Sequence, residues 1–354
     1  MATICPLSSR AAAKPQRYFL GLVATALGLL LSAPLSAAQT TAPLTFSTTP
    51  TAPVFSKLIT PLEDAAIGSP DVWIDPALPP GAPQRFVMAY AQGGTDTKGR
   101  IGLAYSRDGI EWSRAGLPAT ILEPAETGWD RHFLDTPCLL RKDGVWYLWY
   151  FGATSNKTNG GAIGLATSSD GVHFTRVRTT PVLTAGPAGS WDSDWVESPS
   201  VTLSGDQFIM YYTGVGADQR PRMGRATSPD GVNWSKDPAN PILSPAAAPQ
   251  AWDSYAAAQG SIISQAPQTY LVYAAVSLLD MATHQLHPQL GLIRLSSPAA
   301  AIQNSPAPVI THAQAGSLPN SPLNPAIVYV PEHQQLYIYY ETAIGFGLAR
   351  QQLN

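Results

Sequence analysis

Charge is scarce in this chain, and what there is never gathers. Only 13% of its residues are charged, 21 Lys and Arg stand against 24 Asp and Glu, and like charges form no run anywhere. A nucleic-acid or membrane-surface partner would need a basic patch, so neither is expected. Cysteine is scarcer still, with Cys5 and Cys138 alone. No stretch carries a credible helical period, no Gly-rich loop is set to hold phosphate, and neither a Ser/His/Asp nor a metal-ligand spacing occurs. His284 and His287 stand three apart on a loop without a carboxylate nearby, which falls short of a metal site. No cofactor is expected.

Residues 1–38 read as an export signal. Arg10, Lys14 and Arg17 form a basic start, and 18–31 is an apolar core too short to span a bilayer comfortably. Ser36-Ala37-Ala38 supplies small residues for cleavage before Gln39. No twin-arginine pair is present, and no cysteine follows the apolar core to take a lipid anchor. Cys5 would leave with the signal, so Cys138 has no disulfide partner. The expectation is an exported protein, periplasmic or extracellular, with residues 39–354 as one domain. A monomer free of the membrane is expected.

What the chain does have is a repeat. Trp129-Asp130, Trp191-Asp192 and Trp252-Asp253 recur at spacings of 62 and 61 residues, each followed after four residues by Asp135-Thr136-Pro137, Glu197-Ser198-Pro199 and Ala258-Gln259-Gly260. Fifteen residues beyond each variable position comes Tyr150, Tyr212 or Tyr273, closing an aromatic and β-branched run. A small-residue strand and a Ser-x-Asp-Gly turn follow (Ser106 to Gly109, Ser168 to Gly171, Ser228 to Gly231), then Trp112, Phe174 or Trp234. Weaker copies begin at Ser69-Pro70-Asp71 and at Asn324-Pro325. Each module offers four short strands separated by turn residues, so the expected fold is all-β, a five-bladed propeller of four-stranded antiparallel blades. Ala52-Pro53-Val54-Phe55 resembles the outer-strand text Thr180-Pro181-Val182-Leu183, so the N-terminal strand is expected to complete the last blade and leave no open edge.

Strand parity places the Ser-x-Asp-Gly turns on one face of the disc, where their Asp side chains serve as turn formers. The variable position lies at the opposite face, at the entry of the inner strand and the mouth of the channel. Asp135 and Glu197 meet there from adjacent blades. Two converging carboxyl groups, one held protonated by burial and by its neighbour, are what glycoside hydrolysis uses. On the same face, Arg131, His132 and Arg222 are candidate substrate contacts, with Lys157 and Arg220 also near. The recurring Trp-Asp pairs suit packing between blades. Trp73 and Trp195 do not recur and are better candidates for a sugar platform.

With these residues in hand, the chain resembles the five-bladed propeller superfamily of arabinanases, β-xylosidases, levansucrases and invertases, and within it family 43 of the glycoside hydrolases. The likeness covers nearly the whole mature chain blade by blade, on motifs of moderate specificity. It implies that Glu197 of Glu197-Ser198-Pro199 is the general acid and that Asp135 tunes it, although Thr136 here separates that aspartate from the proline. It also implies a general-base aspartate just before a proline in the first blade. This chain has Gly68-Ser69-Pro70-Asp71 there, which makes Asp71 the first candidate base and Asp64 the second. A structural cation near the axis, sometimes present in that family, stays open. The expected function is an exported, inverting glycoside hydrolase acting on a carbohydrate. A glycan-binding propeller without catalysis is the alternative, as is delivery of the sugar to a nucleophile that no protein carboxylate supplies. A sialidase fits less well, since it calls for six blades and an arginine cluster.

Overall fold

The computed structural model describes residues 44–48, 53–56, 63, 66–114, 116–118, 120–155, 160–264, 268–317 and 321–353. The signal segment 1–38, Asp64 and Lys157 lie outside them. Strand β1 (Ser47–Thr48) precedes blade one, which is β2 (Ala66–Ile74), β3 (Phe86–Gly93), β4 (Gly99–Ser106) and β5 (Trp112–Ser113). Blade two is β6 (Phe133–Lys142), β7 (Val145–Ala153), β8 (Ala162–Ser168) and β9 (Thr175–Arg176). Blade three is β10 (Trp195–Ser204), β11 (Gln207–Val215), β12 (Arg222–Ser228) and β13 (Ser235–Lys236). Blade four is β14 (Ala256–Ile263), β15 (Thr269–Val276) and β16 (Gln289–Leu295), with helix α1 (Leu278–Thr283) between the last two. Blade five is β17 (Leu323–Val330), β18 (Gln335–Thr342) and β19 (Gly345–Gln352), and its fourth strand is β1.

Ring closure follows the sequence resemblance residue by residue. In blade two, Ile163 N–H donates to Leu183 at 2.9 Å and Val182 N–H to Ile163 at 2.7 Å. In blade five, Phe346 N–H donates to Phe55 at 2.8 Å and Val54 N–H to Phe346 at 2.8 Å. Blade four departs from the four-strand pattern: its outer position is held only by the bridge Leu290–Ile310. The expectation of no helix is also corrected. Ser277 and Asp280 cap α1 reciprocally, and this capping stabilises a single short turn that has no room to show a helical period.

The core lies between the sheets. Five apolar clusters each join two neighbouring blades, for example Val87, Leu103, Leu134 and Leu148 between blades one and two. The Trp rings of the Trp-Asp pairs pack against the clusters between blades, as expected, while the Asp side chains act within their own blade. Buried Asp130 accepts from Tyr150 Oη at 2.9 Å and Arg176 Nε at 2.7 Å, and Trp129 stacks on the Tyr150 ring at 6.0 Å. Asp192 and Asp253 do the same for Tyr212 and Tyr273, and Glu63 does so for Tyr90 in blade one. The Ser-x-Asp-Gly turns are structural: Asp108 Oδ1 accepts from the N–H groups of Ile110 and Glu111 at 2.8 and 2.9 Å. The carbonyls of these turns latch neighbouring blades, as Tyr339 Oη donates to Gly109 at 2.7 Å and Trp149 Nε1 to Gly231 at 3.0 Å.

The glycine before each such turn is set by the tyrosine. A Cβ at Gly164 would stand 2.4 Å from Tyr150 Cζ, inside contact distance, and rings on both sides leave it no room. Gly164→Ala should therefore cost about 1–3 kcal/mol by overpacking, read as a lowered denaturant midpoint at unchanged m-value. An unchanged midpoint would mean the tyrosine is not held as described.

Candidate functional site

Each inner strand carries the same irregularity at its entry. Asp135 pairs with Phe151 and Cys138 with Trp149, so Thr136 and Pro137 on β6 together oppose Tyr150 on β7, a β-bulge. The other four inner strands bulge at the equivalent place. The bulged residues Ser69, Thr136, Ser198, Gln259 and Asn324 all have left-handed backbone, with φ between 40° and 51°. None is glycine, so each conformation costs free energy that its surroundings must offset. The offset is visible, because each of the five N–H groups donates to a side-chain oxygen. The acceptors are Glu341 Oε2 for Ser69 at 2.9 Å, Asp135 Oδ1 for Thr136 at 2.7 Å and Thr136 Oγ1 for Ser198 at 3.1 Å. Thr213 Oγ1 serves Gln259 at 2.8 Å, and Gln259 Oε1 serves Asn324 at 3.4 Å. Four of the five bulged residues are followed by proline, Pro70, Pro137, Pro199 and Pro325, whose fixed φ suits the kink.

The residue before the bulge marks the entry of each inner strand. In blade order it is Gly68, Asp135, Glu197, Ala258 and Leu323. Burial pushes the Glu197 carboxyl up to about 7, the Asp135 charge adds to the shift, and the Trp195 indole opposes it. Asp135 is also raised by burial, against hydrogen bonds from Ser69 and the Thr136 N–H. Below the mouth, the bulged residues and the residues after them enclose a waist of about 30 Å³, too narrow for more than water. Asp71, Ser200 and Ser261 line both this waist and a chamber of about 240 Å³ beneath it. A ligand larger than water could not pass through this waist from one side to the other.

Glu341 is the residue that sequence reasoning missed. It sits at the end of β18, opposite Leu323, and its carboxylate reaches across to blade one. Oε2 accepts from Ser69 N–H and from Asn324 Nδ2, both at 2.9 Å. A Cβ at Gly68 would lie 2.9 Å from that same oxygen. The Glu341 carboxylate therefore fills the space that a side chain at Gly68 would enter. Burial raises its pKa, the Asn324 and Ser69 hydrogen bonds oppose this, and the Asp135 charge adds to it. Comparing the cross-strand partners of the variable position, Ala91, Phe151, Thr213, Ala274 and Glu341, would have singled it out as the one acid.

The other candidates separate. Asp71 lies past the bulge and turns toward blade two, where Oδ2 accepts from Leu139 N–H at 2.7 Å. Cys138, Ser200 and Ser261 occupy the same position in later blades and accept from Val201, Ile262 and Ile327 N–H in the same way. Trp73 is near the other end of β2, lining the lower chamber and packed edge-on against Trp146 at 4.8 Å, so it does not reach the mouth. Trp195 is buried beside Phe133, Phe151 and Val215, with its indole N–H lacking a well-formed hydrogen bond. His132 is half-buried on the entering loop, and Arg131 is exposed, donating to Gly128 O at 3.2 Å. Arg222 is paired with Asp218, Arg220 donates to the Tyr255 carbonyl, and His287 Nδ1 lies 3.0 Å from Asp280. Among the described residues no group of three or more His, Cys, Asp and Glu side chains is arranged to hold a metal.

No family model matches the chain. Over 129 residues, 36% of the chain, it is 30% identical to an uncharacterized protein of Mycobacterium tuberculosis, and the match spans 40% of that relative's length. Among solved structures it is similar to a glycosyl hydrolase from Bacteroides ovatus (TM-score 0.63, 16% identity, covering 87% of this chain and 94% of that one). It is similar to a member of family 130, the mannoside phosphorylases that contain glycoside hydrolases targeting β-1,2-mannosidic linkages in Candida mannan (0.63, 17%, 89% and 95%). A thermostable family-43 glycoside hydrolase aligns as well (0.58, 14%, 80% and 88%). The fold is the five-bladed propeller shared by these glycoside hydrolases and phosphorylases.

Asp71 gives a stability test. Burial lifts its carboxyl to about 7 against the hydrogen bond from Leu139. A raised carboxyl favours folding fully below the unfolded value of about 3.9, and that contribution is lost as pH rises to about 7. Asp71→Asn keeps an acceptor for Leu139 and should flatten this part of the stability–pH curve. Asp71→Ala orphans the N–H and should cost about 1–3 kcal/mol at pH 5. Equal stability of the two variants across that range would remove Asp71 as the latch.

Proposed function

We propose that this protein is an exported, inverting glycoside hydrolase with Glu197 as general acid and Asp135 as the charge that tunes it. The observation that carries the reading is the pair of carboxyl groups at one repeat position of adjacent blades, with Glu197 held near a pKa of 7. A general acid must carry its proton at working pH, and a carboxyl of ordinary pKa would not. In this reading Glu197 protonates the glycosidic oxygen as the bond to the anomeric carbon breaks, and water attacks from the opposite side of the ring. Arg131, His132, Arg222 and Trp195 are the candidate sugar contacts in this reading. The kinship of the fold with hydrolases and phosphorylases supports a carbohydrate as the ligand.

Gly68 favours a second reading, in which the propeller binds a glycan without cleaving it, because the first blade offers no carboxylate at the variable position. Hydrolysis of aryl furanosides, aryl pyranosides and polysaccharides, with and without inorganic phosphate, separates the readings. Turnover that falls by about 10²–10⁴ in Glu197→Gln supports the enzyme. Glycan binding with no turnover supports the binding module, and turnover only with phosphate points to transfer rather than hydrolysis.

The pH profile carries a sign. kcat/KM should fall as pH rises through about 7, where Glu197 loses its proton. Asp135→Asn removes a like charge, so that limb should move to lower pH; a limb that stays or moves up would contradict the assignment. Export is tested at the N-terminus: mature protein from the medium or periplasm should begin at Gln39, and an intact Met1 would refute cleavage.

A further inference from the structure

We infer that Glu341, reaching from the second strand of the last blade, serves as the general base in place of the carboxylate that blade one lacks. This rests on the hydrolase reading above. Three observations carry it. The Glu341 carboxylate lies where a side chain at Gly68 would be, in the same ring of mouth positions as Asp135 and Glu197. Blade one stands between blade five and blade two, so Asp135 separates this carboxylate from Glu197 around the ring. Its Coulomb effect on both carboxyls agrees with that order. Finally, among the described residues Glu341 is held by one oxygen only, since Oε2 takes both hydrogen bonds and Oε1 takes none.

A purely structural role has a precedent in the same ring, and the test must exclude it. Thr213 occupies the matching position in blade three and accepts from the Gln259 N–H just as Glu341 accepts from Ser69. A hydroxyl is enough for that task. A carboxylate that keeps one oxygen clear of the hydrogen bonds holding it, in the same ring as an acid, is suited to activate water. The step balances: one water proton passes to Glu341, the water oxygen bonds to the anomeric carbon, and that carbon's bond to the leaving oxygen breaks. The leaving oxygen takes the Glu197 proton. The free sugar is released with inverted configuration.

Glu341→Gln keeps an acceptor for Ser69 and removes only the basicity. It should lose about 10²–10⁴ in kcat/KM at an unchanged melting temperature. Glu341→Ala, supplied with azide, should form a glycosyl azide of inverted configuration, because an anion needs no base. The double variant Gly68→Asp/Glu341→Ala should regain activity over Glu341→Ala by tenfold or more. Gly68 lies outside the left-handed region, and once Glu341 is truncated the new carboxylate has its space. A Glu341→Gln enzyme within about threefold of wild type, with Glu341→Ala merely less stable, would overturn the inference and leave Glu341 a clamp. Glu197→Gln assayed alongside keeps the failures apart. Loss at Glu197 with an active Glu341→Gln refutes the base alone, and an active Glu197→Gln or an inert wild type refutes the hydrolase reading and the base with it.

Discussion

The bulge at the entry of every inner strand is the constraint on which the rest depends. Five non-glycine residues are held at positive φ, and each is held because its N–H finds a side-chain oxygen, in most cases on the preceding blade. The same device sets the face that each flanking side chain shows. In the first four blades the residue after the bulge accepts a backbone hydrogen bond from the next blade. One extra residue per strand thus separates chemistry from assembly within a four-residue motif.

That separation explains why carboxylates so close in sequence differ so much in surroundings. Asp71 follows its bulge and holds the Leu139 N–H, a place that Cys138, Ser200 and Ser261 fill elsewhere with neutral groups. Asp135 and Glu197 precede theirs and share the mouth. Burial raises the pKa of all three carboxyls. Asp71 lines the waist and the chamber beneath it, whereas Asp135 and Glu197 line neither.

Much of the fold could be read from spacing, because its parts recur. The Trp-Asp pairs, the tyrosines fifteen residues past the variable position and the Ser-x-Asp-Gly turns each repeat with a physical task, so the blade count and the closing strand at Phe55 followed. Features that occur once were harder to read. Helix α1 spans six residues, too short for a period, and the outer edge of blade four has shrunk to a single bridge. The direction of Asp71 turned on the bulge, which reverses the parity that strand alternation would assign. Trp73 looked like a platform because it does not recur, yet it lies at the far end of its strand. Glu341 was hidden most fully. It is brought to Gly68 by ring closure, across 272 intervening positions of separation, and no local pattern around either residue announces the other.

Burial, with the Asp135 charge beside it, is what would keep Glu197 protonated near neutrality. Carboxyl-carbon NMR of the protein labelled at glutamate, titrated from pH 4 to 9 with Glu197→Gln to assign the signal, measures this directly and needs no substrate. The account predicts a Glu197 midpoint near 7 that falls when Asp135 is replaced by Asn. A midpoint close to the ordinary glutamate value, about 4.3, and indifferent to Asp135 would contradict it.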